Sequence, residues 1–153
     1  MSDQDLVTLY STRVLALATD IPHLGRLGTP DATARCRSPL CGSTVTVDVS
    51  LTGGRVTAFA QEVRTCALGQ ASAALLGAAA VGLDLAELQA LRTVVRAMLE
   101  NDGPAPAAPF AGYEVLRIAH GYRNRHASIL LPLDAICEAT AAAATGTASR
   151  AAP

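Results

Sequence analysis

Apolar positions recur at two different spacings along this chain, and the change from one to the other sketches its layout. Between residues 6 and 19, Leu6, Leu9, Tyr10, Val14, Leu17 and Ala18 fall at helical intervals, predicting an amphipathic first helix ended by Ile21-Pro22. Gly25, Gly28 and Pro30 then mark a loop. From residue 32 the period drops to two. Ala32, Ala34 and Cys36 alternate with Thr33, Arg35 and Arg37 in a short edge strand that Pro39 breaks. From Ser43 to Leu51, Val45, Val47, Val49 and Leu51 alternate with Thr44, Thr46, Asp48 and Ser50. Gly53-Gly54 supplies a tight hairpin turn, and a returning strand runs from Arg55 to about Arg64. Its alternation slips around Phe59 to Val63, which predicts a bulge there.

Helical spacing returns after the hairpin. Cys66 opens an alanine-rich helix to about Val81, with Gly82 as its stop. Asp84 is placed to cap a second helix from Leu85 to Glu100, whose apolar face is Leu88, Leu91, Val94, Val95, Met98 and Leu99. A Pro/Ala-rich loop covers residues 103–111, and Tyr113 to His120 reads as a short helix. A loop follows from Gly121 to Arg125. The last helix is expected from near Ser128 to about Ala144, because Pro132 is tolerated best close to a helix start. Residues 1–144 read as a single domain and 145–153 as a disordered tail. The fold class is α+β, a three-stranded antiparallel sheet against about five helices.

With 50% hydrophobic residues, 3% aromatic and no Trp, the core must be built from Ala, Val and Leu. All 12 basic residues are Arg, which with the abundant alanine reads as a coding bias. A net charge of −1 and the lack of a basic run argue against nucleic acid as a partner. The acidic start Met1-Ser2-Asp3-Gln4-Asp5 does not read as a signal peptide. The uncharged run Ala67 to Leu83 falls short of about 20 strongly apolar residues, so no membrane span is expected there. Cysteines without an export signal suggest a reducing, cytoplasmic setting in which thiols serve metal or redox chemistry.

Of the 4 cysteines, Cys36 lies on an apolar strand face and Cys137 amid Ile136 and alanines, the settings of structural thiols. Cys41, in a turn between Pro39 and Gly42, and Cys66, at a helix start, are the candidates for chemistry. They are 66 − 41 = 25 residues apart, the length of an out-and-back hairpin, so the two thiols can meet at one end of the sheet. A helix N-terminus favours negative charge and so thiolate at Cys66. His23 and His120 read as surface histidines. His126 is better placed, but a Cys66–His126 nucleophilic pair would want a third, orienting group, and none is evident.

Three stretches together resemble the U-type iron–sulfur cluster scaffold family, the relatives of IscU, SufU and the N-terminal domain of NifU. They are Ser38-Pro39-Leu40-Cys41-Gly42, Cys66-Ala67-Leu68-Gly69-Gln70-Ala71-Ser72-Ala73 and Arg125-His126-Ala127-Ser128-Ile129-Leu130-Leu131-Pro132. The 128 − 66 = 62 residues separating the second and third motifs are more similar to the SUF branch than to the ISC branch. The resemblance implies a scaffold or carrier, not an enzyme. It would take sulfur, with Cys41 as acceptor, from a cysteine desulfurase and pass a labile cluster to apo iron–sulfur clients. The family's three cysteines and one aspartate fall on Cys41, Cys66, Ser128 and Ser43, so two positions carry serine, a poor ligand for iron or zinc. Cys137 stands nine residues past Ser128, about 13 Å along a helix, and cannot share an ion with that position. The missing ligands could come from His126, or from a homodimer in which each chain gives Cys41 and Cys66 to a [2Fe–2S] cluster. Two further readings are a zinc-dependent sulfurtransferase partner of the desulfurase and a degenerate member that binds assembly partners without metal.

Overall fold

The structure, a computed structural model, describes residues 10–40 and 42–146. Strands β1 (Ala32–Arg37), β2 (Thr44–Thr52) and β3 (Arg55–Arg64) form an antiparallel sheet in the order β1-β2-β3. Around it lie α1 (Thr12–Ala18), α2 (Ala67–Gly77), α3 (Leu85–Asn101), a 3₁₀ helix (Ala111–Ala119) and α4 (Arg123–Ala144). The α+β architecture read from the sequence is therefore the one observed. The expected first-helix positions Leu6 and Leu9, Cys41 and most of the expected tail lie outside the described residues.

Alternation along β2 sets the layers. Val45, Val47 and Val49 are fully buried on one face of the sheet, where α4 packs across β1 and β2. Burying each valine contributes about 1.5–3 kcal/mol, so this face anchors the core. The hairpin bulge is not between Phe59 and Val63. The register shifts at Ser50/Leu51, where Ser50 faces Ala58 and Leu51 faces Val56, leaving Thr57 as the extra residue. Val56 and Phe59 are three apart and would face opposite sides of an unbroken strand; the bulge turns both into the core.

Two polar side chains in the sheet, Asp48 and Gln61, are fully buried. Asp48 is 0% exposed because the loop after α1 folds over the outer face. Arg26 donates to both its carboxylate oxygens, the Leu27 N–H donates at 2.9 Å, and the Thr33 hydroxyl donates as well. Gln61 lies on the inner face, donating from Nε2 to the Pro22 and Ala73 carbonyls at 3.1 Å each. Backbone bonds Gln61 N–H to His23 O and Gly25 N–H to Gln61 O pin the same loop to β3.

Helix α3 starts where the sequence indicated, with a capping box between Asp84 and Glu87. Helix α2 stops at Gly77, short of Val81. Helix α4 begins at Arg123 rather than near Ser128, so Pro132 sits in its interior. This helix is also long and apolar enough to cross a membrane by length and composition, but 61% of its most apolar window is buried inside the fold. It touches β1, β2, α2, α3 and the 3₁₀ helix, which makes it the core helix.

Burial works to raise the Asp48 carboxyl, but its bonds to Arg26, Thr33 and the Leu27 N–H outweigh that and hold it below the ordinary carboxylate value. A depressed folded-state value means stability present above the unfolded-state range near 3.8 and lost as pH falls through the folded value. Asp48→Asn should therefore lower urea-unfolding stability by about 2 kcal/mol at pH 7, with the gap to the parent protein narrowing below about pH 4.

Candidate functional site

Close helix packing explains how the third motif reaches the second. Pro132, which has no N–H, lies inside α4 one turn after Ser128. The Ser128 carbonyl lies against α2 at Gly69, where an added Cβ would be 2.8 Å from the Ser128 oxygen and 2.5 Å from Thr65 Oγ1. One turn further along α2, the Ser72 hydroxyl donates to the Ile129 carbonyl at 2.6 Å. The Tyr113 hydroxyl in turn donates to the Ser72 carbonyl at 2.9 Å. Burial drives the Tyr113 hydroxyl well above its ordinary range, so it stays a neutral donor.

Near this docking two of the singled-out positions, Ser43 and Ser128, meet. Ser43 precedes β2, Cys66 is the N-cap of α2, and Ser128 lies in the first turns of α4. The Ser43 and Ser128 hydroxyls are buried and 3.4 Å apart, across 85 residues of sequence. Cys66 is half-buried and extended, with φ −66° and ψ 171°, and its thiol makes no capping hydrogen bond. Cys41 lies outside the described residues; its neighbours are the 78% exposed Leu40 and Gly42, whose N–H donates to the Ser38 carbonyl. The Ser38 N–H donates in turn to the Ser43 carbonyl, so the segment bearing Cys41 begins and ends beside Ser43.

His126 is placed elsewhere. Two residues before Ser128 on one helix, it points about 200° away around the axis. It is buried, with Nε2 2.8 Å from the Ala119 carbonyl and 3.2 Å from that of His120. It borders a cavity with Glu100, Asn101 and Arg123, away from the serine pair. Its position inside α4, and not in a loop before it, follows from the early helix start. Among the described residues, no group of three or more His, Cys, Asp and Glu side chains is placed to hold a metal ion.

Of the other two thiols, Cys36 lies on β1 opposite Val45 and Cys137 lies within α4. Cys36 donates to Glu138 at 3.3 Å, and burial together with that carboxylate pushes its pKa up to about 12. Burial raises Cys137 to about 11. Both are neutral packing thiols, as the apolar faces suggested. The signal that sequence reading missed was the trio Gly69, Ser72 and Pro132: a small residue, a hydroxyl and a missing N–H that meet only in the folded chain.

No protein-family model and no curated protein matches the chain. Among solved structures, the N-terminal NifU-like protein of Brucella abortus is 39% identical, covering 92% of this chain and 98% of that one with a TM-score of 0.88. The chain belongs to that family, the U-type NifU-like scaffolds. A protein of Fervidobacterium islandicum AW-1, provisionally assigned as an iron–sulfur cluster assembly scaffold for the SUF system, shares the fold at 17% identity, covering 88% of this chain and 98% of that one, with a TM-score of 0.79. A protein of unassigned function does so at 20% identity, with the same coverages and a TM-score of 0.73.

Two outcomes follow from these placements. Gly69→Ala should cost about 1–3 kcal/mol in thermal unfolding, because Thr65 or the Ser128 backbone must give way. At pH 8 a thiol of pKa about 12 is thiolate in about one molecule in ten thousand. Iodoacetamide should therefore modify Cys36 and Cys137 only after denaturation, as read by peptide mass spectrometry, whereas Cys66 reacts in the native protein.

Proposed function

We propose that this chain is a scaffold or carrier in iron–sulfur cluster assembly, with Cys66 and Cys41 as its working thiols. The observation that supports this is the meeting of Ser43 and Ser128 at 3.4 Å where the helix capped by Cys66 docks, at Gly69, against the Ser128 backbone. Membership of the NifU-like family supports it independently. In this reading a cysteine desulfurase presents a persulfide, and the Cys41 thiolate attacks its outer sulfur. A new S–S bond forms as the old one breaks, and the donor cysteine leaves as thiolate, so no net electrons are needed.

The serine pair limits what one chain can hold. Hydroxyls remain protonated near neutral pH and do not replace thiolates toward iron. A [2Fe–2S] cluster takes four thiolates, and two chains contributing Cys41 and Cys66 each supply that number. The cluster is cargo in this reading, assembled between two copies and passed on to apo clients in the cytoplasm.

Anaerobic reconstitution with ferrous iron, sulfide and dithiothreitol tests it. The expected product is coloured, contains about one [2Fe–2S] per two chains and elutes at twice the monomer mass. Cys66→Ser should retain neither iron nor sulfide. Equal absence of both from the two proteins overturns the proposal, and a coloured monomer overturns the shared site.

A further inference from the structure

The outer face of the sheet carries a feature that chemistry at its end does not use. Opposite the valine face, β2 presents Thr44 and Thr46, β1 presents Arg35 and Arg37, and β3 presents Glu62 and Arg64. In register, Arg37 faces Thr44, which faces Arg64; Arg35 faces Thr46, which faces Glu62. Short side chains on the middle strand between long ones make a trough along β2, with walls two strand spacings, about 10 Å, apart. The resulting cavity is about 330 Å³, and Arg26 closes one end of it.

The charge within this trough is unbalanced. Arg26 is held by Asp48 and lies 3.9 Å from Glu62, so it adds little free charge. Arg35, Arg37 and Arg64 are all exposed and make no ion pair among the described residues. With Glu62 counted against them, Arg35, Arg37 and Arg64 still leave a surplus of positive charge on one small face of a chain whose net charge is −1. An anion relieves that repulsion, and each guanidinium can take a carboxylate with two parallel hydrogen bonds.

We propose that the trough binds an extended acidic segment of a partner protein, its carboxylates pairing with Arg35, Arg37 and Arg64. Arg35 and Arg37 are two residues apart, about 7 Å, which matches successive same-face side chains of an extended segment. All three guanidiniums are exposed, with no buried donor shell of the kind that encloses a small anion. The end away from Arg26 is where β2 begins after Ser43 and where Arg64 leads through Thr65 to Cys66. A segment lying along β2 therefore brings its protein to the thiol end of the sheet.

The test is fluorescence anisotropy of labelled octaglutamate in about 50 mM salt. Saturable binding is expected, weakened about tenfold or more by Arg35→Gln with Arg64→Gln, weakened again at about 300 mM salt, and unchanged by Arg13→Gln with Arg123→Gln. Circular dichroism should show the variants folded, since every substituted side chain is exposed. No saturable binding, or equal weakening by the control pair, overturns the proposal. Displacement of the peptide by citrate below the peptide's own Kd also overturns it, by making the site one for a small polycarboxylate. Cys66→Ser should bind the peptide unchanged, so this outcome stands apart from that of cluster reconstitution.

Discussion

The close docking of α2 on the first turns of α4 organises this molecule. Helix α2 comes that near because Gly69 has no side chain to hold it off, an added Cβ there standing 2.8 Å from the Ser128 carbonyl oxygen. Ser72, one turn on, donates its hydroxyl to the Ile129 carbonyl. The contact holds the N-terminal turn of α2, which Cys66 caps, against the start of α4. Ser128, in the same turns of α4, meets Ser43 at the start of β2, so sheet and helices close on one another here.

The sequence disclosed those parts of the fold whose causes are local. The valine alternation of β2, the Gly53-Gly54 turn and the Asp84 cap each act within a few residues, and each element appears where its signal stands. What escaped were contacts between distant residues. The alternation put Asp48 on the face opposite the valines, but nothing near it names Arg26, 22 residues away, as its partner. The slip of alternation in β3 was real but misplaced, because its cause is the need to bury both Val56 and Phe59. Pro132 misled in another way. Intrinsic preference puts proline at a helix start, whereas here it sits inside α4, one turn after Ser128.

The candidate site divides along the same line. Cys36 and Cys137 could be set aside from their apolar settings, and the fold confirms the chemistry of that choice: buried beside a carboxylate or among apolar groups, a thiol keeps its proton. The meeting of the Ser43 and Ser128 hydroxyls depends on two elements 85 residues apart and was reachable only through family resemblance. His126 shows the limit of counting residues. Proximity in sequence to Ser128 suggested proximity in space, but helical geometry turns neighbours two apart to opposite faces.

The serine pair makes physical sense of a rim that keeps its shape while offering fewer ligands. Two hydroxyls 3.4 Å apart satisfy one another and can be buried. A carboxylate and a thiolate at the same distance would repel unless a cation lay between them. Serine at both positions therefore lets the three elements close on each other without an ion to hold them. At the edge of that closed core stands Cys66, half-buried and making no side-chain bond to cap its helix.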